Sequence, residues 1–153
     1  YLYIKLNNMS GIIKHDIALD FILGGKSFVT FLNKKTDNRF TFKVVKHKKD
    51  DIYFVNVLTG PDIYTFIGTI RENRYNHSIK KSNISIDSQS VKVFNYILSK
   101  LQSNNLPGFI EIYHDGRCGK CGKRLTVPTS IESGFGPDCI KYIKKWYHLL
   151  ELY

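Results

Sequence analysis

The chain has 153 residues and a formal charge of +10, from 23 Lys and Arg against 13 Asp and Glu. That length buries one proper core and leaves a second independent domain cramped, although a metal can hold together an appendage with little core of its own. No run of about 18 apolar residues is present to span a membrane, and an odd count of three cysteines excludes a complete disulfide framework. The cationic excess favours an acidic partner, either nucleic acid, DNA or RNA, or an acidic protein. The plainer explanation is a lysine-rich solvated surface.

In chain order, residues 1–20 are read as an N-terminal arm, residues 21–108 as an α+β domain and residues 109–153 as a zinc-binding module with a closing helix. Phe28 to Leu32 forms a first β-rich run, and Asn33 to Asn38 a polar loop of hairpin type. Phe40, Phe42 and Val44 then alternate with Thr41 and Lys43, the two-residue period of a half-buried strand. His47 to Asp51 turns the chain into a third strand over Ile52 to Leu58. Thr59-Gly60-Pro61-Asp62 makes the next turn, and Tyr64, Phe66 and Gly68 alternate in a fourth. Short sequential connections of this kind imply an antiparallel meander. Arg71 to Ile86 is ambiguous, with a basic loop at Lys80-Lys81.

After Asp87 the period changes. Val91, Phe94, Leu98 and Leu101 recur at helical spacing, with Asp87 or Ser88 to cap the start and Asn104 to Gly108 to stop it. This helix is expected to cover one face of the sheet. Phe109 to Tyr113 reads as a strand, and Pro137 to Leu150 as a C-terminal helix with Ile140, Ile143, Tyr147 and Leu150 on its apolar stripe. Of the aromatics in the strands, Phe40, Phe42, Phe54 and Phe66 are expected in the core. Tyr53, Tyr64 and Tyr75 are the better candidates for an exposed face that stacks bases.

Chemistry is written most plainly near the C-terminus, where all three cysteines fall. Cys118 and Cys121 are separated by two residues and each is followed by glycine, the arrangement of a zinc knuckle. Cys139 follows Gly136-Pro137-Asp138, which reads as a helix start that would present its thiolate from the first turn. A thioredoxin-like redox pair fits less well, because Gly-rich turns flank the motif and a third cysteine lies nearby. The fourth ligand of a closed, structural Zn2+ site is assigned to His114, with His148, Asp138 or a water as rivals. A cytidine-deaminase-like site would need a His-x-Glu well upstream, and none stands there.

These residues also carry a resemblance. The run from His114 to Cys139, including Gly116-Arg117-Cys118, Cys121 to Pro128, Ser130-Ile131 and Gly134 to Cys139, resembles the C-terminal signature of domain of unknown function 6011. That is a family of small proteins encoded by bacteria and their phages and plasmids. Gly25 to Phe28, Arg39 to Lys43 and Val57 to Asp62 are similar to the same family, and Thr129 stands where the family more often shows an acid. The resemblance implies a zinc-binding module and supplies no activity.

Around the knuckle, Arg117, Lys120, Lys123 and Arg124 crowd together, and Lys141, Lys144 and Lys145 are expected on one face of the closing helix. These seven are the candidate nucleic-acid contacts, with a solvated face as the bland reading. No phosphate-binding loop, nucleophile elbow or His-Glu-x-x-His helix is present, which argues against an enzyme. His15, His47 and His77 are each isolated in polar segments. With no charged-then-apolar leader and cysteines suited to metal, the expected location is cytoplasmic, in a host cell interior or virion. The expected role is that of a zinc-stabilised nucleic-acid-binding or accessory protein of a phage, virus or mobile element, or else a protein-interaction factor such as a viral inhibitor.

Overall fold

The structure, a computed structural model, describes residues 11–143. It is an α+β fold whose seven-stranded antiparallel sheet has the order β1-β7-β2-β3-β4-β5-β6. Strands β2 (Lys26–Asn33), β3 (Arg39–Lys46), β4 (Ile52–Gly60) and β5 (Ile63–Arg71) follow one another as the expected meander, and β6 (Arg74–His77) extends it within the stretch read as ambiguous. Strand β7 (Ile110–His114) returns to the free edge of β2, and the two-residue β1 (Ile12–Ile13) pairs with β7 in turn.

The arm expected over residues 1–20 is, from Gly11 on, part of this fold. Helix α1 (His15–Ile22) buries Ile17, Ala18, Phe21 and Ile22, a stripe of adjacent pairs one turn apart that suits one helix face. The boundary drawn at residue 108 likewise runs through the sheet, since β7 lies between β1 and β2. A strand needs its ladder partners, so it cannot belong to a separate module.

Helix α2 (Gln89–Gln102) buries Val91, Phe94, Ile97, Leu98 and Leu101. Its N-cap position is Ser88, whose hydroxyl meets that of Ser90 and not a backbone amide. Phe94 is the centre of the main core. Its ring lies 4.9 Å from Phe42, 6.2 Å from Phe31 and 5.5 Å from Tyr75, so one side chain ties the helix to β2, β3 and β6. Among the described residues no helix is long and apolar enough to cross a membrane.

Both long helices pack on the face that carries Val29, Phe31, Phe42, Val44, Val55 and Val57. The register places Phe28, Lys43, Asn56 and Phe66 in one row on the opposite face, and Val45, Phe54, Thr69 and Asn76 in the next. No described helix covers them. Two expectations about aromatics are therefore corrected. Phe54 and Phe66 are on the open face, because Val55 and Val57 point inward and strand neighbours alternate. Tyr53 and Tyr75 pack against the core side, leaving only Tyr64 of the three tyrosines outside.

The register shift opposite Val55 and Asn56 also breaks the expected alternation of Tyr64, Phe66 and Gly68. It inserts Ile67 as an extra residue, so Phe66 and Gly68 fall on different faces although they are two apart in sequence. Replacing Phe94 by Ala is expected to cost about 3–5 kcal/mol in urea denaturation, from lost transfer energy and the cavity left behind. Phe94→Leu, which keeps part of the volume, should cost less.

Candidate metal centre

Beyond β7 the chain folds back on itself in a short hairpin. The Leu125 amide donates to the Gly116 carbonyl (2.7 Å), the Cys118 amide to Lys123 (2.8 Å) and the Gly122 amide to Cys118 (2.9 Å). Gly122 turns the hairpin with φ of 78°, a conformation that favours glycine. Residues 128–133 form a short helix, α3 (Pro128–Ser133), with proline in its first turn and left-handed Gly134 as C-cap. The chain then passes Phe135 and a turn closed by the Ile140 amide on the Gly136 carbonyl (3.0 Å). Cys139 sits in that turn.

The three thiols converge. The sulfurs of Cys118, Cys121 and Cys139 lie within 4.8 Å of one another, the first buried, the second exposed and the third half-buried. Such a group can hold a metal ion. The amides of Lys120 and Gly136 each donate to Cys118 Sγ at 3.4 Å. Burial works to raise the Cys118 thiol, but the amides of Gly136, Cys121 and Lys120 outweigh it and the net shift is down. Cys139 moves the other way. Burial first, then its thiol neighbours Cys121 and Cys118, push it up to about 12, because crowded sulfurs disfavour a further negative charge.

His114 is not brought to this cluster. It is buried, its Nδ1 accepts from the Gly116 amide (2.9 Å) and its Nε2–H donates to the Ile131 carbonyl (2.6 Å). Both ring nitrogens are spent, so no lone pair is left for a metal. Along β7, Ile110, Ile112 and His114 share one buried parity, which is the signal that sequence proximity to Cys118 had hidden. The imidazole instead pins the start of the hairpin to α3. His15 and His77 are likewise structural, with Nε2 on the Ile110 and Ile84 carbonyls at 2.7 and 2.9 Å.

Of the other expected ligands, Asp138 is nearly fully exposed, 4.0 Å from Lys141, and outside the thiol group. His148 lies outside the described residues. The closing helix is also corrected over its visible part. Ile140–Tyr142 is one 3-10 turn and Ile143 is extended, so no continuous helix runs from Pro137, and the remainder lies beyond residue 143.

The expected cationic contacts divide. Lys120, Lys123 and Arg124 are exposed on the hairpin. Arg117 is engaged within the fold, 3.4 Å from Asp115 and with its guanidinium 4.4 Å from the Phe28 ring centre. Lys141 is exposed beside Asp138, and Lys144 and Lys145 lie outside the described residues.

With the geometry in place, comparison with known proteins is informative at one point. Residues 111–144 match the profile of a family described as "Family of unknown function (DUF6011)". The match bears out the resemblance over the cysteine-bearing segment, from within β7 to residue 144. No curated protein and no solved structure matches the chain.

The His114 assignment generates a pH test. Burial holds the imidazole below its ordinary 6.5, against the Ile131 carbonyl and the Asp115 carboxylate, which favour the charged form. The unfolded chain therefore binds a proton that the folded one resists, and stability falls with pH. This contribution is complete above about pH 6.5 and drains as pH drops below it. The melting temperature of the wild type should decline more steeply below that point than that of His114→Gln; parallel declines would contradict the assignment.

Proposed function

We propose that the three thiolates hold a structural zinc ion and that the hairpin it braces carries a nucleic-acid-binding surface. The fit to zinc rests on the donor set. A tetrahedral ion with Zn–S of about 2.3 Å places its sulfurs roughly 3.8 Å apart, inside the 4.8 Å within which the three sulfurs lie. Soft thiolates favour zinc over hard cations, and two amide donors on Cys118 favour its ionised form. The fourth ligand on this reading is His148 or solvent.

The observation that carries the binding role is the placement of Lys120, Lys123 and Arg124. All three are exposed and none is ion-paired among the described residues, on the hairpin that the cysteines anchor. Cations held on a rigid hairpin displace counterions from a phosphate backbone at little entropic cost. The overall charge of +10 adds steering toward a polyanion.

For the metal, purified protein should contain about one zinc per chain by atomic emission, and chelation should melt the region after His114 because metal affinity is folding free energy there. Cys121→Ser is the cleanest variant, since that thiol is exposed and its loss opens no core cavity. It should release zinc while His114→Gln retains it, and His148→Ala separates a chain ligand from solvent. Thiols that titrate freely in the native, metal-free, fully folded protein would defeat the zinc assignment.

For binding, Lys120, Lys123 and Arg124 replaced together by Gln should weaken duplex DNA binding for all sequences alike. The log–log salt slope should fall by up to about 2.7, near 0.9 per phosphate contact. Zinc content should stay intact. If the wild type binds no DNA or RNA at low salt, the role as a protein-interaction factor takes its place.

A further inference from the structure

The open face of the sheet ends, at β5 and β6, in a groove of about 1100 Å³. Phe54 and Phe66 form its apolar floor, with ring centres 6.3 Å apart. Arg71, Arg74, Lys80 and Lys81 stand around it, all exposed and none ion-paired among the described residues. Glu72 is the single carboxylate in the lining. Four cations against one acid, around two aromatic rings, give the groove a net charge that a polyanion would complement.

The other aromatic pair of this face is already engaged. Phe28 and Tyr64 lie 5.7 Å apart, with the Arg117 guanidinium 4.4 Å from the Phe28 centre and Lys43 Nζ 5.5 and 6.0 Å from the two rings. The protein's own cations occupy those ring faces. Over Phe54 and Phe66 no described cation stacks, and the nearest ring contact is the tilted edge of His47, 5.8 Å from Phe54. An apolar ring left partly open beside unpaired arginines and lysines is suited to a flat, π-rich group attached to phosphate.

We infer that this groove takes a single-stranded segment of nucleic acid, with bases against Phe54 and Phe66 and phosphates along Arg71, Arg74, Lys80 and Lys81. A duplex hides its base faces in its own stack, so only a strand with splayed bases can use the rings. The inference rests on the nucleic-acid reading above and adds the form of the ligand and a second place of contact. The groove is built from β4, the β5–β6 hairpin and the loop after it, whereas the cationic hairpin lies beyond β7. The two surfaces can be disabled separately.

The test is fluorescence anisotropy with a short labelled oligo(dT) and, in parallel, a mixed-sequence duplex. Wild type should favour the single strand. Phe54→Leu with Phe66→Leu keeps apolar cover but removes the π-faces, and should weaken oligo(dT) binding on the order of tenfold per ring while leaving the duplex unchanged. Gln at Arg71, Arg74, Lys80 and Lys81, all exposed, should flatten the salt dependence for oligo(dT) without touching the core. That quadruple variant decides the matter if the leucine pair fails to fold. Unaltered oligo(dT) binding in either folded variant overturns the groove and leaves the hairpin reading standing. Absence of all binding by wild type overturns both.

Discussion

The ring of Phe21 is the surface on which the cysteine-bearing segment is laid down. It is fully buried, and two stretches of backbone approach it so closely that neither tolerates a side chain. A Cβ at Gly119 would lie 2.6 Å from the ring and one at Gly134 2.8 Å. Phe135 meets it edge-on at 5.8 Å and His114 at 5.9 Å. Gly119, between Cys118 and Lys120, also donates to the Gly134 carbonyl (2.9 Å) and accepts from the Lys26 amide (3.0 Å). One residue thus joins the Cys118–Cys121 turn to the end of α3 and the start of β2. The backbone that carries the thiols is seated on a side chain from α1, and the ion of the proposed site would add its own free energy to that packing.

That seating gives the charges on the hairpin their geometry. Lysine side chains are long and their entropy is large, so the phosphate-binding role proposed for them would gain from a well-anchored backbone. Here the backbone is fixed from beneath by packing and from the side by hydrogen bonds. The open sheet face is a different device, with rows of side chains set by strand register. Its aromatic pairs differ in their covering, one beneath Arg117 and Lys43 and the other at the groove, where the nearest cations stand at the rim.

Strand and helix periods made the meander and α2 legible in the sequence, since Val44, Val55 and Val57 on the strands and Val91, Phe94 and Leu98 on the helix repeat cleanly. The cysteine cluster was legible from spacing alone. What escaped did so for local reasons. The Ile67 bulge reverses parity midway through β5, and no residue type announces it. The stripe Ile17, Ala18, Phe21, Ile22 is too short to stand out beside a polar start. His114 drew attention through its nearness to Cys118, when its shared parity with Ile110 and Ile112 was the better guide. Proximity in sequence says little about direction once a residue is on a strand.

The position of β7 has a consequence for how the chain reaches this state. Strand β2 carries Phe28, Val29, Phe31 and Leu32, and one of its edges stays unpaired until residues 110–114 arrive. During synthesis the meander and α2 can collapse first, yet they do so with an apolar strand edge open to other chains. Closing that edge requires contacts between segments some 80 residues apart, such as Val29 with His114, which is slow compared with local pairing. The same event brings the hairpin within reach of Phe21. Sealing of the sheet and assembly of the thiol cluster are therefore expected to fall in a single late step of folding, with the interval before it the one most exposed to aggregation.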